Sequence, residues 1–437
     1  MLDRHLSPFV LAALADRPVV LLHGARQTGK TTLAHALADT AHPARYLTFD
    51  DAGVLGAART DPSGFVAGLG GPVVLDEVQR APEIFPAIKA LVDRHRTAGR
   101  FLLTGSANVM VAPRLSESLA GRMEILTLWP LSQGEIDGAA DGFLDAVFDE
   151  RLPASVPARV TRHAVLDRLV TGGYPEVVSG IDTARRPAWF GSYVTAILQR
   201  DVRDIANVAD LTALPRLLAL IASRPMALLN AADLGRSLGL PQTTLKRYLA
   251  LLEATFLLRT LPPWYVNIGK RLSKAPKVFV TDTGLAAYLL GLDVPRLLND
   301  PTLLGGLLES FIVIEIQKQA GWSRTRPGLF HFRSHDGREV DLVLEAAGGR
   351  VVGVEIKAAA TVNAADFKGL RFLAEAAGRR FHRGIVLYTG DEVLPFGPGM
   401  HAVPINAVWQ WPLVVPVSEG RQKRGRGGRR SRAKRDY

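Results

Sequence analysis

The sequence predicts an α/β protein that begins with a parallel sheet covered by helices on both faces. Residues 18–160 alternate short β-branched runs with helix-like stretches, which is the pattern of βαβ units. Turn residues follow each run, as expected where a strand passes into a helix. A composition of 47% hydrophobic and 22% charged residues is that of a globular protein with buried cores. The predicted strands are residues 18–22, 45–49, 72–76 and 100–104.

Length and periodicity divide the 437 residues into four parts. Residues 1–160 are predicted to form the parallel-sheet domain, in which residues 138–160 are rich in Ala, Gly, Asp and Pro and are expected to be a loose connection. Residues 161–300 have helical periodicity. Residues 301–412 contain a strand-rich segment and are expected to form a second α/β domain. Residues 413–437 lack a core pattern and are expected to be a disordered basic tail.

The net charge of +11 is concentrated at the C-terminus. Residues 418–437 hold nine Lys or Arg against Glu419 and Asp436, so they supply seven of the eleven net charges. This tail either tethers nucleic acid through counterion release or is solvated without a dedicated partner. The absence of cysteine excludes disulfides and thiolate zinc sites. No secretion signal or membrane-spanning run is evident, so we expect a cytoplasmic protein without a membrane partner.

Residues 24–31 match the phosphate-loop pattern G-x4-G-K-[ST], between an apolar strand and a helical pattern. Glycines let backbone N–H groups turn toward phosphate oxygens, and the helix N-terminus adds positive potential. Lys30 is expected to reach the β and γ phosphates, and the Thr31 hydroxyl to bind Mg²⁺. ATP and Mg²⁺ are therefore the predicted cofactors. The predicted ATP-binding residues are Gly24, Ala25, Arg26, Gln27, Thr28, Gly29, Lys30, Thr31 and Thr32.

Polar side chains follow two further predicted strands. Asp76 is expected to hold the metal or its water beside the phosphate loop, and Glu77 to polarise the attacking water. Thr104 and Ser106 either sense the γ-phosphate or cap a turn. Arg122 either brings positive charge to the transition state, within the subunit or across the interface of a homo-oligomer, or is an ordinary surface arginine.

Nine segments spread over nearly the whole chain carry a family resemblance. They are residues 24–31, 75–79, 103–106, 118–122, 130–132, 172–175, 199–202, 277–284 and 338–341. Together they resemble bacterial and archaeal predicted AAA-type ATPases whose C-terminal domain of unknown function is similar to PD-(D/E)XK nucleases. The resemblance implies an ATPase domain, a helical lid, a winged-helix-like segment and a C-terminal α/β nuclease-like domain. It implies no particular biological process, and the basic tail lies outside it.

The segment around residues 229–252 predicts a helix, a glycine-containing turn and a second helix with one buried face. Lys246 and Arg247 lie off that face at the start of the second helix, where a recognition helix presents groove-reading side chains. Residues 256–261 then predict a wing strand. The unit either contacts DNA through Lys246 and Arg247 or serves as a packing or protein-contact module.

Residues 338–357 predict two antiparallel strands joined by a three-residue loop that ends in glycine. In the register that this loop sets, Asp341 faces Glu355 and Glu339 faces Lys357. Opposed carboxylates repel each other unless a cation lies between them, and Mg²⁺ is the candidate. Lys357 projects from the same face as Glu355 and could orient a water or stabilise charge on a scissile phosphate.

The resemblance to PD-(D/E)XK nucleases adds a helix-borne carboxylate, Glu309, to this strand pair. The set that it implies for a metal and nuclease site is Glu309, Asp341, Glu355 and Lys357. The alternative is a solvated sheet face. His331 and Arg333 on the preceding strand could contact phosphate, although packing and solvation are the simpler interpretation.

These patterns predict a Mg²⁺-dependent ATPase coupled to DNA binding or processing, with a C-terminal domain that either cuts DNA or only holds it. The other interpretation is a nucleotide-dependent signalling or assembly switch whose C-terminal domains bind protein. The two differ in whether ATP turnover responds to DNA and whether Asp341 affects a nucleic-acid product.

Overall fold

The computed structural model describes residues 2–106, 119–202, 212–267, 269, 271, 274–300, 302–334 and 336–412. The predicted basic tail lies outside these ranges, as does Ser118 of the segment that precedes Arg122. Within these ranges, none of the helices is both long and apolar enough to span a membrane.

The N-terminal domain contains a five-stranded parallel sheet with the order β2-β3-β4-β1-β5. Its strands are β1 Val19–His23, β2 Arg45–Thr48, β3 Val73–Asp76, β4 Phe101–Gly105 and β5 Met123–Thr127. Its helices are α1 Ser7–Asp16, α2 Lys30–Asp39, α3 Ala52–Thr60, α4 Pro62–Gly68, α5 Ile84–Arg94 and α6 Gln133–Asp137. The four predicted strands are confirmed. The fifth was not predicted, because this edge strand is only partly buried and lacks a continuous apolar run.

Both faces of this sheet are buried, as expected for a parallel sheet between helices. Alternate residues of β1 enter different cores: Val19 and Leu21 pack on one face, Val20 and Leu22 on the other. The central strands β1, β3 and β4 are therefore apolar and buried along their length, and the carboxyl ends of the strands meet at one edge of the sheet. That edge carries the phosphate loop.

The connection from residue 138 to 160 is not loose, and that expectation is wrong. It contains the short helix α7 Phe143–Ala146, and the ring of Phe143 stacks on Trp411, with centroids 5.6 Å apart. Asp145 accepts hydrogen bonds from the Ser323 hydroxyl (2.7 Å) and the Thr325 backbone N–H (3.0 Å). A few apolar side chains among the small residues pack this segment against the C-terminal region. The overall composition of the segment did not predict this packing.

The middle region is helical and includes a small antiparallel sheet. It begins with α8 Arg162–Thr171, α9 Pro175–Val178, α10 Arg186–Ala196 and a π-helix at Ile197–Asp201. A unit that we call the three-stranded unit follows, with α11 Ala213–Ala222, β6 Ala227–Leu228, α12 Ala231–Leu238, α13 Gln242–Ala254, β7 Leu258–Leu261 and β8 Lys277–Val280. Its sheet order is β6-β8-β7. The predicted helix, turn and helix are confirmed, as is a strand after them.

Asp282 joins two segments of the middle region. Its carboxylate accepts from the backbone N–H of Gly173 (2.8 Å) and of Leu285 (3.0 Å), so it also caps α14 Thr283–Leu290. Gly172 has φ of +72°, and a Cβ there would lie 2.2 Å from the Asp282 carboxylate. The close approach therefore requires glycine.

The C-terminal region is a mixed six-stranded sheet with the order β13-β14-β12-β11-β10-β9. Its strands are β9 Gly328–Arg333, β10 Glu339–Glu345, β11 Val351–Lys357, β12 Phe381–Tyr388, β13 Leu394–Pro395 and β14 Met400–Pro404. Its helices, after α15 Val294–Asn299, are α16 Leu304–Gln319, α17 Lys368–Ala377 and α18 Ala407–Gln410. Strands β10 and β11 pair Leu342 with Val354, which is the register predicted from the loop.

Candidate ATP site and C-terminal carboxylate cluster

The predicted phosphate loop lies between β1 and α2. Gly29 adopts φ of +90° directly before α2, and Gln27 adopts φ of +60°. A Cβ on Gly24 would lie 2.1 Å from the Leu128 carbonyl oxygen, so only glycine fits where the loop leaves the strand. The loop thus turns its backbone toward the N-terminus of a helix, which is an arrangement suited to phosphate.

Lys30 is buried at the first turn of α2. Its ammonium donates to the carbonyl oxygens of Gly24 (3.1 Å) and Ala25 (2.7 Å). Burial lowers the pKa of Lys30 to about 8, although the carboxylates of Glu77 and Asp76 oppose this effect. A phosphate oxygen beside the ammonium would favour its charged form and so oppose the effect of burial on the pKa.

Asp76 ends β3 and is surrounded by neutral hydroxyl donors. Thr31 Oγ1 lies 3.1 Å from its Oδ2, and the phenol of Tyr46 lies 2.7 Å from the same oxygen. Thr104 donates to its Oδ1. The structure therefore brings together Thr31 and Asp76, the two predicted metal ligands. Sequence reasoning missed Tyr46, because its contact with Asp76 depends on the pairing of β2 with β3.

Glu77 has a left-handed backbone, with φ of 58° and ψ of 45°, that is unfavourable for a residue with a side chain. Its carboxylate accepts from Ser106 Oγ (3.3 Å) and from the Gln79 amide, which also donates to Ser106 (2.9 Å). Its backbone N–H donates to Thr104 Oγ1 (3.2 Å). Thr104 and Ser106 thus contact the two carboxylates, and their predicted γ-phosphate role stays a prediction. Gln79 is a positioning residue that the motif contained but sequence reasoning did not single out.

Arg122 lies at the opposite end of the sheet from the phosphate loop. It precedes Met123, which pairs with Val19 at the start of β1, whereas the loop follows His23 at the end of that strand. Its guanidinium is paired with Asp93. The geometry does not bring Arg122 to the phosphates within one chain, so action across an interface and an ordinary surface arginine are the two interpretations that remain.

The helical region contacts the phosphate loop through Arg26. The Nε of Arg26 donates to both carboxylate oxygens of Asp201, at 2.8 and 2.7 Å, and Asp201 is buried. Tyr193 donates to the Arg26 carbonyl oxygen at 3.4 Å. Asp201 ends the π-helix, a rare conformation that is frequent at functional sites. Sequence reasoning placed Arg26 in the loop but did not find this partner.

Arg4 is a further residue near the phosphate loop that could not be predicted from the sequence. Its guanidinium donates to the carbonyl oxygens of Thr28 (2.6 Å) and Trp129 (2.7 Å) and to the Glu135 carboxylate (3.0 Å). It also borders a cavity of about 240 Å³ beside the loop, lined further by Gly29, Thr32, Leu33, Ala36, Leu131 and Pro175. An isolated arginine before a helix carries no sequence signal for such a role.

The C-terminal cluster contains four carboxylates and two lysines. Lys277 Nζ lies 2.6 Å from Glu309, 2.7 Å from Glu339 and 4.0 Å from Asp341. The Lys277 side chain is 3% exposed. Lys277 belongs to one of the segments that carry the family resemblance, but its contact with the carboxylates could not be predicted because it comes from the middle region of the chain.

The predicted residues Asp341, Glu355 and Lys357 are adjacent. Asp341 accepts from the backbone N–H of Ile356 (2.9 Å), and Lys357 Nζ lies 3.4 Å from Glu355. Burial, followed by the charge of Asp341, raises the pKa of Glu355 to about 9. Burial also raises the pKa of Glu309 to about 8, together with the charge of Asp341. Glu355 is only 6% exposed, so the alternative of a solvated sheet face is wrong for this residue.

The remaining predicted residues differ in their exposure to solvent. Lys246 and Arg247 are exposed near the start of α13, as predicted. His331 is buried, and burial lowers its pKa to about 4, which agrees with a packing role. Arg333 is half exposed, and its guanidinium lies 3.8 Å from Glu339. In the described part of the chain, no three acidic or histidine side chains are arranged to hold a metal ion.

Three known families match successive parts of the chain. An AAA domain matches residues 16–137, a domain of unknown function (DUF8612) matches residues 162–296, and another (DUF4143) matches residues 304–408. With the parallel sheet and the phosphate loop, these matches define an AAA-type P-loop ATPase with a C-terminal domain of unknown function.

The chain is 32% identical over 398 residues to the uncharacterized protein Rv2008c of Mycobacterium tuberculosis, covering 91% of this chain and 82% of that protein. The same figures hold for the uncharacterized protein Mb2031c of Mycobacterium bovis. The chain therefore belongs to the same family of AAA-type ATPases. Among solved structures, the Walker-type ATPase PABY2304 of Pyrococcus abyssi is similar with a TM-score of 0.43 and 14% identity, over 66% of this chain and 96% of that one.

Proposed function

We propose that this protein hydrolyses ATP to ADP and phosphate with Mg²⁺ at the N-terminal site. The observation that carries the proposal is the grouping of Thr31, Asp76 and Glu77 at the carboxyl edge of the sheet, beside Lys30. A hydroxyl and a carboxylate are suitable oxygen ligands for Mg²⁺, which supplies charge neutralisation for the transferring phosphoryl group. The residues present therefore fit the metal.

The proposed roles follow from position and charge. Lys30 binds the β and γ phosphates, while Thr31 and Asp76 hold Mg²⁺. Glu77 accepts a proton from the attacking water, and Ser106 and Gln79 orient its carboxylate. The strained backbone of Glu77 supports this assignment, because such strain is retained where neighbouring contacts hold a functional group in place.

The cavity beside Arg4 is the proposed site for the nucleoside. It adjoins Thr28 and Gly29, so a nucleotide whose phosphates lie on the loop would direct its base there. Apolar walls from Leu33, Ala36 and Leu131 suit a planar base. The Arg4 guanidinium already donates hydrogen bonds to two carbonyl oxygens and to Glu135. Its proposed role is to hold the wall of the cavity and the phosphate loop in position.

We further propose that the ATPase forms a homo-oligomer in which Arg122 of one subunit serves the site of the next. Support comes from its position at the end of the sheet away from its own phosphate loop. Such an arginine would leave its pair with Asp93 to stabilise charge on the transferring phosphoryl group.

We propose that the protein is cytoplasmic and couples the free energy of ATP hydrolysis to the binding or processing of DNA. The order of elements in the three-stranded unit is that of a winged helix, and Lys246 and Arg247 are exposed on its second helix after the turn. The C-terminal sheet with its carboxylate-bearing hairpin is compatible with a PD-(D/E)XK-like fold that holds DNA. The basic tail would add nonspecific affinity.

A second candidate is a nucleotide-dependent switch whose three-stranded unit and C-terminal domain bind protein. One observation favours it over DNA cleavage: the Lys277 ammonium already lies between the carboxylates that a nuclease would use for its metal. This candidate retains the ATPase but predicts no response to DNA.

The test is ATP hydrolysis by the purified protein with and without single-stranded and duplex DNA, with Lys30→Ala as the blank. Stimulation that is lost in the double variant Lys246→Glu with Arg247→Glu supports DNA coupling. The double variant should also show a lower salt dependence of DNA affinity, because two phosphate contacts are lost. A rate that depends on Lys30 but not on DNA would support the switch, and no Lys30-dependent rate would refute the ATPase.

A further inference from the structure

The C-terminal carboxylate cluster receives its central positive charge from a different part of the chain. Lys277 belongs to β8, the middle strand of the three-stranded unit, where it pairs with Leu228 on one side and Leu261 on the other. Both neighbouring strands therefore fix its backbone. Its ammonium extends to Glu309 on α16 and to Glu339 on β10, and three separate elements converge on one nitrogen atom.

The Mg²⁺ ion that a nuclease-like cluster would use does not fit beside this ammonium. Mg²⁺ binds carboxylate oxygens at about 2.0–2.1 Å in near-octahedral geometry. The Lys277 nitrogen lies 2.6 Å from the Glu309 oxygen that such an ion would need. Two cations that share these oxygens would lie within about 4–5 Å of each other in a buried site, where like charges repel strongly.

We infer that Lys277 is the resident cation of the C-terminal carboxylate cluster and joins the three-stranded unit to the C-terminal sheet in place of a divalent metal. The ammonium forms ion pairs with Glu309 and Glu339 and lies 4.0 Å from Asp341. Glu355 has its own lysine, Lys357. The cluster is thus an ion-pair contact between two regions of the protein and does not cut nucleic acid.

The surrounding backbone supports a permanent contact. Trp264 N–H donates to the His331 carbonyl oxygen (2.6 Å), and His331 N–H donates to the Pro262 carbonyl oxygen (2.9 Å). The chain after β7 is therefore hydrogen-bonded to β9 of the C-terminal sheet. This junction holds the three-stranded unit beside β9, so the backbone that carries Lys277 stays next to the carboxylates.

The test is the binding of Mn²⁺ to the full chain without nucleotide, measured by electron paramagnetic resonance of free Mn²⁺. All chains carry Asp76→Asn, which removes the carboxylate of the N-terminal site. Replacement of the ammonium in Lys277→Met should create a site that binds Mn²⁺ at least about tenfold more tightly, and adding Asp341→Asn should remove that site. Lys274→Met is the matched control, because Lys274 is an exposed lysine three residues away.

Two results would overturn the inference. One is an Asp341-dependent Mn²⁺ site of unchanged affinity whether residue 277 is lysine or methionine. The other is a Lys277→Met chain that gains no site. The Lys277→Met chain could unfold in the absence of metal. In that case, refolding by Mn²⁺ that requires Asp341 supports the inference, whereas unfolding that Mn²⁺ does not reverse contradicts it. These readouts are independent of ATP hydrolysis, so they leave the proposed function to its own test.

Discussion

The two carboxylate sites of this protein differ in the kind of partner that surrounds the acid. At the N-terminal site, Asp76 accepts from three hydroxyls, those of Thr31, Tyr46 and Thr104, and none of these donors is charged. In the C-terminal cluster, Glu309 and Glu339 contact the ammonium of Lys277. The first site retains the negative charge that attracts a metal, whereas in the second an ammonium of the chain already pairs with two of the acids.

This difference teaches that a carboxylate motif does not define a metal site by itself. Hydroxyl donors orient an acid without removing its charge, so a divalent cation still gains the full electrostatic attraction. A buried ammonium reduces that gain and also occupies the space between the acids. The following predictions test this contrast in order of decreasing effect.

Glu77→Gln should lower kcat for ATP hydrolysis by roughly 10²–10⁴-fold while ATP binds as before, because the amide cannot accept the proton of the attacking water. Steady-state phosphate release and calorimetric ATP binding measure the two effects. Gln79→Ala serves as the comparison, since it removes only an orienting contact and should cost less. Full turnover in Glu77→Gln would show that another group acts as the base.

Lys277→Met should lower the free energy of unfolding by about 3–5 kcal/mol, because it leaves buried carboxylates without their counter-charge. Urea unfolding followed by tryptophan fluorescence measures the loss. The control Lys274→Met changes an exposed lysine and should stay within about 0.5 kcal/mol of the wild type. Equal stability of the two variants would mean that the Lys277 contacts contribute no net stabilisation.

Asp201→Asn should weaken ATP binding by about tenfold, since it removes the charged partner of Arg26 in the phosphate loop. The amide retains the shape of the side chain, so the change reports the charge. Calorimetric titration with ATP measures the affinity, and Asp167→Asn on the exposed face of α8 is the matched control. Unchanged or tighter binding would show that the contact between the helical region and the loop does not support the nucleotide.

ATP binding at pH 8 should take up about half a proton per chain. Burial lowers the pKa of Lys30 to about 8, so half of the free protein carries the neutral amine at that pH. Phosphates favour the ammonium and raise its pKa, hence protons bind with the nucleotide, and ATP affinity falls as the pH rises above 8. Calorimetry in buffers of different ionisation enthalpy measures the uptake. Lys30→Arg, which is always charged, should show none, and uptake in that variant would exclude Lys30 as the source.

The sequence predicted the local features of both sites. The spacing of Gly24, Gly29 and Lys30 predicted the loop, and the loop between β10 and β11 predicted the hairpin register, because each depends on neighbours in the chain. Contacts between distant segments could not be predicted in this way. Lys277 and Glu309 are 32 residues apart, and Arg26 and Asp201 are 175 residues apart, so only the packed fold brings each pair together.

The same reasoning explains the wrong expectations. The composition of residues 138–160 predicts a loose linker, because the partners that bury Phe143 and Asp145, such as Trp411 and Ser323, lie far along the chain. Strand β5 was missed because most of its residues are only partly buried at the edge of the sheet, so its apolar signal is weak.

The most direct test of the contrast between the sites is a count of Mn²⁺ ions bound per chain in Glu77→Gln saturated with ATP. The account predicts one ion, which is lost when Asp76→Asn is added and retained when Asp341→Asn is added. A second ion that disappears with Asp341→Asn would contradict it, because the C-terminal cluster would then hold a metal despite Lys277.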